Sequence, residues 1–402
     1  MLEETKDWKI FIVIAMSIIV VLLTMWSFNG QWITNPSSYN TYAIQAQAWL
    51  NGKMDILNYE HLELAYYHNK VYVSFPPFPS VIMLPFVFIY ETQTPDGFIN
   101  LFFIIIGIFY AYKLAKNFNH SVLLSLFLAF FISISTNVVF LMQNGWVWFF
   151  AQTLSFTFTI MSFYFATKKE PNFYLAFLFL SFAIGCRPFQ IIYGAFLLFL
   201  AFKKNIPIKN IFIYMLPALA VGILYASYNY IRFDSIIEFG HNYLKEMTQS
   251  QNGQFSFAYL LDNLKTLYLI PDIASNGVVN YPKFNGFSIF ILNPILILIL
   301  ILLPSYIISY FYKNNIISQP SHLPYLSILL GSIIIHIIII SMHITMGGWH
   351  FGNRYLIDTL PALFLLFCLL DSKITGFRIF YIPFFLYGFA FNILGTTLFY
   401  LK

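Results

Sequence analysis

Long, unbroken apolar runs dominate this sequence and leave few folds open to it. The clearest cover residues 8–28, 101–112, 121–142, 148–166, 211–231, 289–312, 325–342 and 355–370. Several approach the roughly 20 residues that carry an α-helix across a bilayer. Backbone in lipid must satisfy its own hydrogen bonds, so only helices and closed barrels span membranes. These runs are continuous, not alternating, which excludes a barrel. Charged residues make up 9% of the chain, against roughly 25% in soluble proteins. The chain reads as an all-α integral membrane protein: a polytopic bundle of about 11–12 transmembrane helices. It forms a single membrane domain over 1–402, located in the cell membrane.

The first run is too long for a signal-peptide core and lacks a small-residue cleavage site, so it reads as a mature helix. Cys186 and Cys368 lie far apart in or beside apolar spans and read as packing residues. The net charge of +5 is dispersed, and nucleic acid is not an expected partner. The lysines carry orientation. Lys113/Lys116, Lys168/Lys169, Lys203/Lys204/Lys209, Lys313 and Lys373/Arg378 each flank an apolar run, and the positive-inside rule makes them cytoplasmic. Loop 29–78 then faces outward, with 143–147, Arg187, 232–285 and 343–354. This holds if 79–112 is one net passage, with the short, Pro85-containing 80–90 piece re-entrant. Two full crossings there would put every later lysine cluster outside.

Loop 29–78 reads as the first extracytoplasmic, catalytic loop. Ser37 or Ser38 can cap an amphipathic helix over 39–50, suited to the membrane interface, and Asn51-Gly52 ends it. Loop 232–285, the second large one, mixes aromatic and polar residues with turn signals and should pack over the same face. Glu63 sits among aromatic and aliphatic residues, where desolvation favours a general base. Asp55 is the next candidate and Glu60 the third. The loop has no Asp-x-Asp pair, so no cofactor is required and an obligatory divalent metal is not predicted. His336, inside an apolar run, reads as an interhelical hydrogen-bonding group.

Four arginines occur: Arg187, Arg232, Arg354 and Arg378. Arg187 and Arg354 stand at the outer ends of apolar spans, where an ionised side chain is costly and implies an anionic partner. A guanidinium offers forked geometry for phosphate. Arg378, among lysines, reads as an anchor. Lys70, seven residues after Glu63, can meet the same phosphate. Tyr355 and His350 beside Arg354 belong to the same substrate-binding set. Tyr66, Tyr67, Tyr72 and Trp349 offer ring faces for a sugar, although aromatics are common enough (21%) that packing accounts for most of them.

The order of these features resembles a family. An acid precedes Tyr66-Tyr67-His68-Asn69-Lys70-Val71-Tyr72; Phe75-Pro76-Pro77-Phe78-Pro79-Ser80, Gly185-Cys186-Arg187-Pro188 and Gly352-Asn353-Arg354-Tyr355 follow. Together they are similar to bacterial GT-C superfamily glycosyltransferases of the protein O-mannosyltransferase and aminoarabinose-transferase type. Residues 228–243 also look like a segment of their bacterial relatives. The resemblance touches most of the chain through short, degenerate motifs. It implies a GT-C-like fold and transfer of a sugar from a polyprenyl-phosphate-linked donor to an acceptor hydroxyl. Transfer would occur at the extracytoplasmic face, with inversion. It implies an acid of the first outer loop as base, and Lys70 and Arg354 as holders of the carrier phosphate. Many relatives carry a further acid just after the first helix; residues 27–35 here contain none, which leaves the identity of the base open.

Two other readings compete. A lipid-linked saccharide flippase or other transporter would show paired repeats and midplane charges, and neither is visible. An O-antigen-type polymerase or ligase would place its main outer loop late, as 232–285 is. The sugar, the acceptor (glycan, lipid or protein) and the oligomeric state are not encoded in readable form.

Overall fold

The computed structural model describes residues 6–30, 33–59, 63–273, 275, 279–314 and 323–401; Glu60 lies outside these. Single turns aside, its helices are α1 (Asp7–Asn29), α2 (Thr41–Leu50), α3 (Phe78–Tyr90), α4 (Asp96–Lys116), α5 (Val122–Ile134), α6 (Val147–Thr167) and α7 (Phe173–Ile184). They continue as α8 (Tyr193–Lys203), α9 (Ile208–Phe233), α10 (Phe257–Thr266), α11 (Ile295–Asn314), α12 (Leu323–Ser341), α13 (Leu360–Asp371) and α14 (Tyr381–Tyr400). A hairpin of β1 (Leu64–Tyr67) and β2 (Lys70–Val73) occupies the first loop. Among the described residues, α1, α4, α6, α9, α12 and α14 lie in spans long and apolar enough to cross a membrane, and α5, α7, α8 and α11 are shorter apolar helices. With α13 they pack as a polytopic membrane bundle.

The ends of the passages settle the ambiguity at 79–112. Lys113, near the end of α4, pairs with Asp7 at the start of α1 at 2.7 Å. At the other end of α4, Asp96 accepts from the Ser37 backbone N–H at 3.0 Å and from its hydroxyl, so α4 starts beside the first loop. Helix α3 also starts on that side, where the Phe78 N–H donates to the Gly185 carbonyl. It runs only to Tyr90, leaving Phe88 and Ile89 exposed. The 78–116 segment thus makes one net passage, with the Lys113 end of α4 beside the start of α1. Ser37 serves this junction and not the cap of α2, whose N-cap Asn40 makes no side-chain capping bond and donates instead to the Thr92 carbonyl at 3.4 Å.

Helix α6 is the bundle's axis, buried along nearly its whole length, whereas α9 presents most of its surface outward. The sequence accounts for the difference. Thr157, Thr159 and Ser162 on α6 bond Phe103, Gln190 and Ala176 of neighbouring segments, the kind of small hydroxyl contact that lets helices approach closely in lipid. His336 on α12 meets the Tyr193 hydroxyl at 3.0 Å, and Cys186 and Cys368 are both buried and free.

Several passages stop short. Helices α5, α7 and α13 have 13, 12 and 12 residues, or about 18–20 Å at 1.5 Å per residue, against roughly 30 Å of hydrocarbon. The turn after α7 and the turn before α13 line a recess on the loop side. The first loop is fastened over this recess by Arg232 at the end of α9, which donates to the Val73 carbonyl at 2.8 Å and lies against Tyr228 and Phe233. The second loop joins it. Ile344 N–H donates to the Gln254 carbonyl, Ser256 N–H to that of Met342, and Asn285 N–H to that of Gly348.

This topology predicts accessibility. Single cysteines placed at the exposed Asn69 and Thr92 should react with a membrane-impermeant maleimide from one side, and one at Lys169 only from the other. Labelling of position 92 together with 169 would contradict the single passage at 78–116.

Candidate active site

The recess holds a cavity of about 450 Å³ lined by parts of every loop on this side, among them Tyr39, Glu63, Trp146, Trp148, Arg187, His241, Glu246, His343, Trp349, Arg354 and Tyr355. Glu63 immediately precedes β1, where the Ser74 hydroxyl donates to its carbonyl at 2.8 Å. Its carboxylate accepts from the indole N–H of Trp148 at 3.0 Å, on the first turn of α6. Trp148 packs against Tyr39, and Tyr39 against Trp146. The carboxylate thus sits beside a wall of rings, held by the indole N–H.

Across the cavity stand the arginines. Arg354 opens the turn leading into α13 and is 4% exposed. It donates to Gln152 Oε1 at 3.2 Å and to the Gly347 carbonyl at 2.6 Å. Among the described residues no acid lies within ion-pairing distance of it. Burial lowers its pKa from the ordinary arginine value. Arg187, in the turn between α7 and α8, is paired instead: it contacts Asp358 at 2.7 Å. The Tyr355 ring lies between the two guanidiniums, its centroid 5.0 Å from Arg187 and 5.2 Å from Arg354. His343 adds no charge, because burial pushes its imidazole down to about 3. Among the described residues no group of three His, Cys, Asp or Glu side chains is arranged to hold a metal ion.

A second cavity of about 260 Å³ adjoins the first, sharing Phe75, Trp148, Arg187, His241, His343 and Tyr355 with it. Its own wall combines Pro76, Phe189, Ile237, Phe239, Phe255 and Ile340 with the polar Glu238, Asn242, Gln254 and Asp358. Arg187 and Tyr355 are common to both compartments.

Of the residues singled out in the sequence, Glu63, Arg187, Arg354, Tyr355 and Trp349 are brought together, and the others are not. The two-residue turn at His68 and Asn69, both with positive φ, places Lys70 exposed at the hairpin tip, opposite Tyr67. Tyr72 faces away from the cavity and packs on Phe233 with ring centroids 5.3 Å apart. Asp55 precedes Ile56, whose N–H bonds the Val71 carbonyl; it stands at the outer flank of the hairpin and lines neither cavity. His350 is fully buried, with Nε2 against the Met346 carbonyl at 3.2 Å, and burial pushes it down to about 3. It supports the turn that carries Arg354. Tyr66 and Tyr67 bond Asn58 and Asp234. The reading missed Asp358, Gln152, Trp148 and Glu246. Asp358 carried a usable signal, an acid at the head of an apolar run four residues after Arg354.

Fold and site together define a polytopic helical membrane protein with a recessed site at one end of its bundle. A solved structure of an oligosaccharyltransferase from Archaeoglobus fulgidus, tethered to an acceptor peptide, shares this fold with a TM-score of 0.56 at 12% identity, over 98% of this chain and 55% of that one. ArnT from Cupriavidus metallidurans bound to undecaprenyl phosphate matches with a TM-score of 0.47 at 11% identity, over 89% of this chain and 60% of that one. The chain thus spans little more than half the length of these proteins. No protein-family model and no curated protein matches the sequence.

The turn before Arg354 depends on close backbone approach. A Cβ on Gly286, whose φ is +78°, would meet the Gly352 carbonyl oxygen at 1.8 Å. Gly253 has a similar φ of +66° with nothing within 4 Å. Gly253→Ala should therefore cost only the left-handed strain, about 1–2 kcal/mol, and Gly286→Ala clearly more. Equal losses in thermal unfolding of the purified variants would contradict this packing.

Proposed function

We propose that this protein is a glycosyltransferase that takes a sugar from a lipid carrier phosphate and places it on an acceptor hydroxyl at the extracytoplasmic face. The observation that carries the reading is Arg354. A guanidinium removed from water without an acid partner is costly, and a phosphate in the adjoining cavity supplies the missing charge. A phosphodiester between lipid and sugar fits both compartments. The phosphate sits at Arg354 and Arg187, the sugar lies against the rings beside Glu63, and the first isoprene units enter the second cavity. The lysine-rich end is cytoplasmic by the charge rule, so the cavity opens on the other face.

The chemistry asks little else of the protein. Glu63 takes the proton of the acceptor hydroxyl as its oxygen bonds the anomeric carbon, and the carbon–oxygen bond to phosphate breaks with its electron pair. The anomeric carbon inverts, and the carrier phosphate leaves with an added negative charge, which Arg354 stabilises. The fold shared with an oligosaccharyltransferase supports a transferase over a transporter. The sugar and acceptor are the open variables, and a panel of polyprenyl-phosphate sugars incubated with purified protein addresses the first.

Two substitutions separate the roles. Glu63→Gln should lower transfer by roughly 10²–10⁴-fold while carrier binding stays as in the unaltered protein. Arg354→Gln should lower both, with transfer down roughly 10²–10³-fold. Full transfer by the Glu63→Gln variant would remove the carboxylate from the mechanism.

A further inference from the structure

The two buried arginines are not electrically equivalent. Nε and Nη2 of Arg187 each lie 2.7 Å from Oδ2 of Asp358, which is 3% exposed. Arg354 donates only to neutral oxygens. Gln152 joins the two: its Nε2 donates to Asp358 Oδ1 at 3.0 Å and to the Arg354 carbonyl at 3.1 Å, while its Oε1 accepts from the Arg354 guanidinium. Gln190 holds the Asp358 carbonyl at 2.9 Å. Both carboxylate oxygens are engaged, so Asp358 is fixed in place. At the contact between them, two guanidiniums and one carboxylate leave one positive charge, with Glu63 and Glu246 elsewhere on the cavity wall.

That count matters because the carrier changes charge during the proposed reaction. A phosphodiester bears one negative charge. The phosphomonoester that leaves bears about −1.5 to −2 at pH 7, as other phosphate monoesters do. Two open guanidiniums would hold the spent carrier far more tightly than the donor. One open guanidinium matches the donor and releases the product.

We propose that Asp358 is a specificity-determining positioning residue: by cancelling Arg187 it tunes the cavity to a monoanionic phosphodiester over dianionic monoesters and diphosphates. The inference rests on the reading of Arg354 as the phosphate anchor. It differs from that reading in what it predicts, because it concerns the ratio between anions and not binding itself.

The test uses the purified full-length protein and four probes that need no knowledge of the sugar: farnesyl phosphate, its methyl diester, farnesyl diphosphate, and farnesol as the uncharged control. Asp358→Asn keeps the shape of the side chain and removes its charge. Affinity for the monoester and diphosphate should rise at least about tenfold relative to the diester. Arg187→Gln should move the ratio the other way, and Arg187→Gln with Asp358→Asn should return it to the starting value. If Asp358→Asn alone does not fold, the last two variants still read the charge of Asp358. A monoester-to-diester ratio unmoved by loss of the Asp358 charge, with phosphates still preferred over farnesol, would overturn this proposal and leave the anchor standing. Farnesol bound as well as the phosphates would overturn the anchor and this inference with it.

Discussion

A cation buried without a counter-acid is the constraint on which the rest of this structure turns. Arg354 is 4% exposed and rests on an amide and a carbonyl, neither of which repays the loss of water around a full charge. The surrounding parts act to hold it there. The Gly347 carbonyl accepts its fork, the fully buried His350 braces the turn before it, and Gln152 ties it to α6, the most enclosed helix of the bundle. A cation kept in that position is poised for an anion that arrives from outside.

The short helices give that charge its setting. Next to helices of 12 residues, the turns bearing Arg187 and Arg354 line a recess. Two loops far apart in sequence then roof the recess. The first brings Glu63 on a hairpin clamped by Arg232, and the second brings His241, whose Nδ1 lies 2.6 Å from the Ser74 carbonyl. Two adjoining compartments meet at Arg187 and Tyr355. A headgroup joined to a hydrocarbon chain has this two-part shape.

Much of this was legible in the sequence, and the gaps have physical causes. Apolar runs and flanking lysines are first-order signals, and the runs led to the polytopic helical bundle. The 80–90 segment was ambiguous because its length and Pro85 suit either a crossing or a re-entrant piece; the contacts of Asp96 and Phe78 decide between them. At the site, Arg187 and Arg354 stood out as charges in apolar surroundings. Lys70 did not follow Glu63 into the cavity, since a spacing of seven residues does not reveal that a tight turn intervenes. Asp358 was overlooked inside an apolar run, although an acid there must be paired. Trp148 was hidden by the abundance of aromatics, since only contact geometry shows which indole donates to the carboxylate.

The most direct measurement is a structure of the protein with a prenyl phosphate bound. The account predicts phosphate oxygens within about 3 Å of the Arg354 nitrogens, on the side of the cavity that faces Glu63, with the prenyl chain entering the second compartment. Phosphate bound at the lysine-rich end, with Arg354 still resting on Gln152 and Gly347 alone, would contradict it.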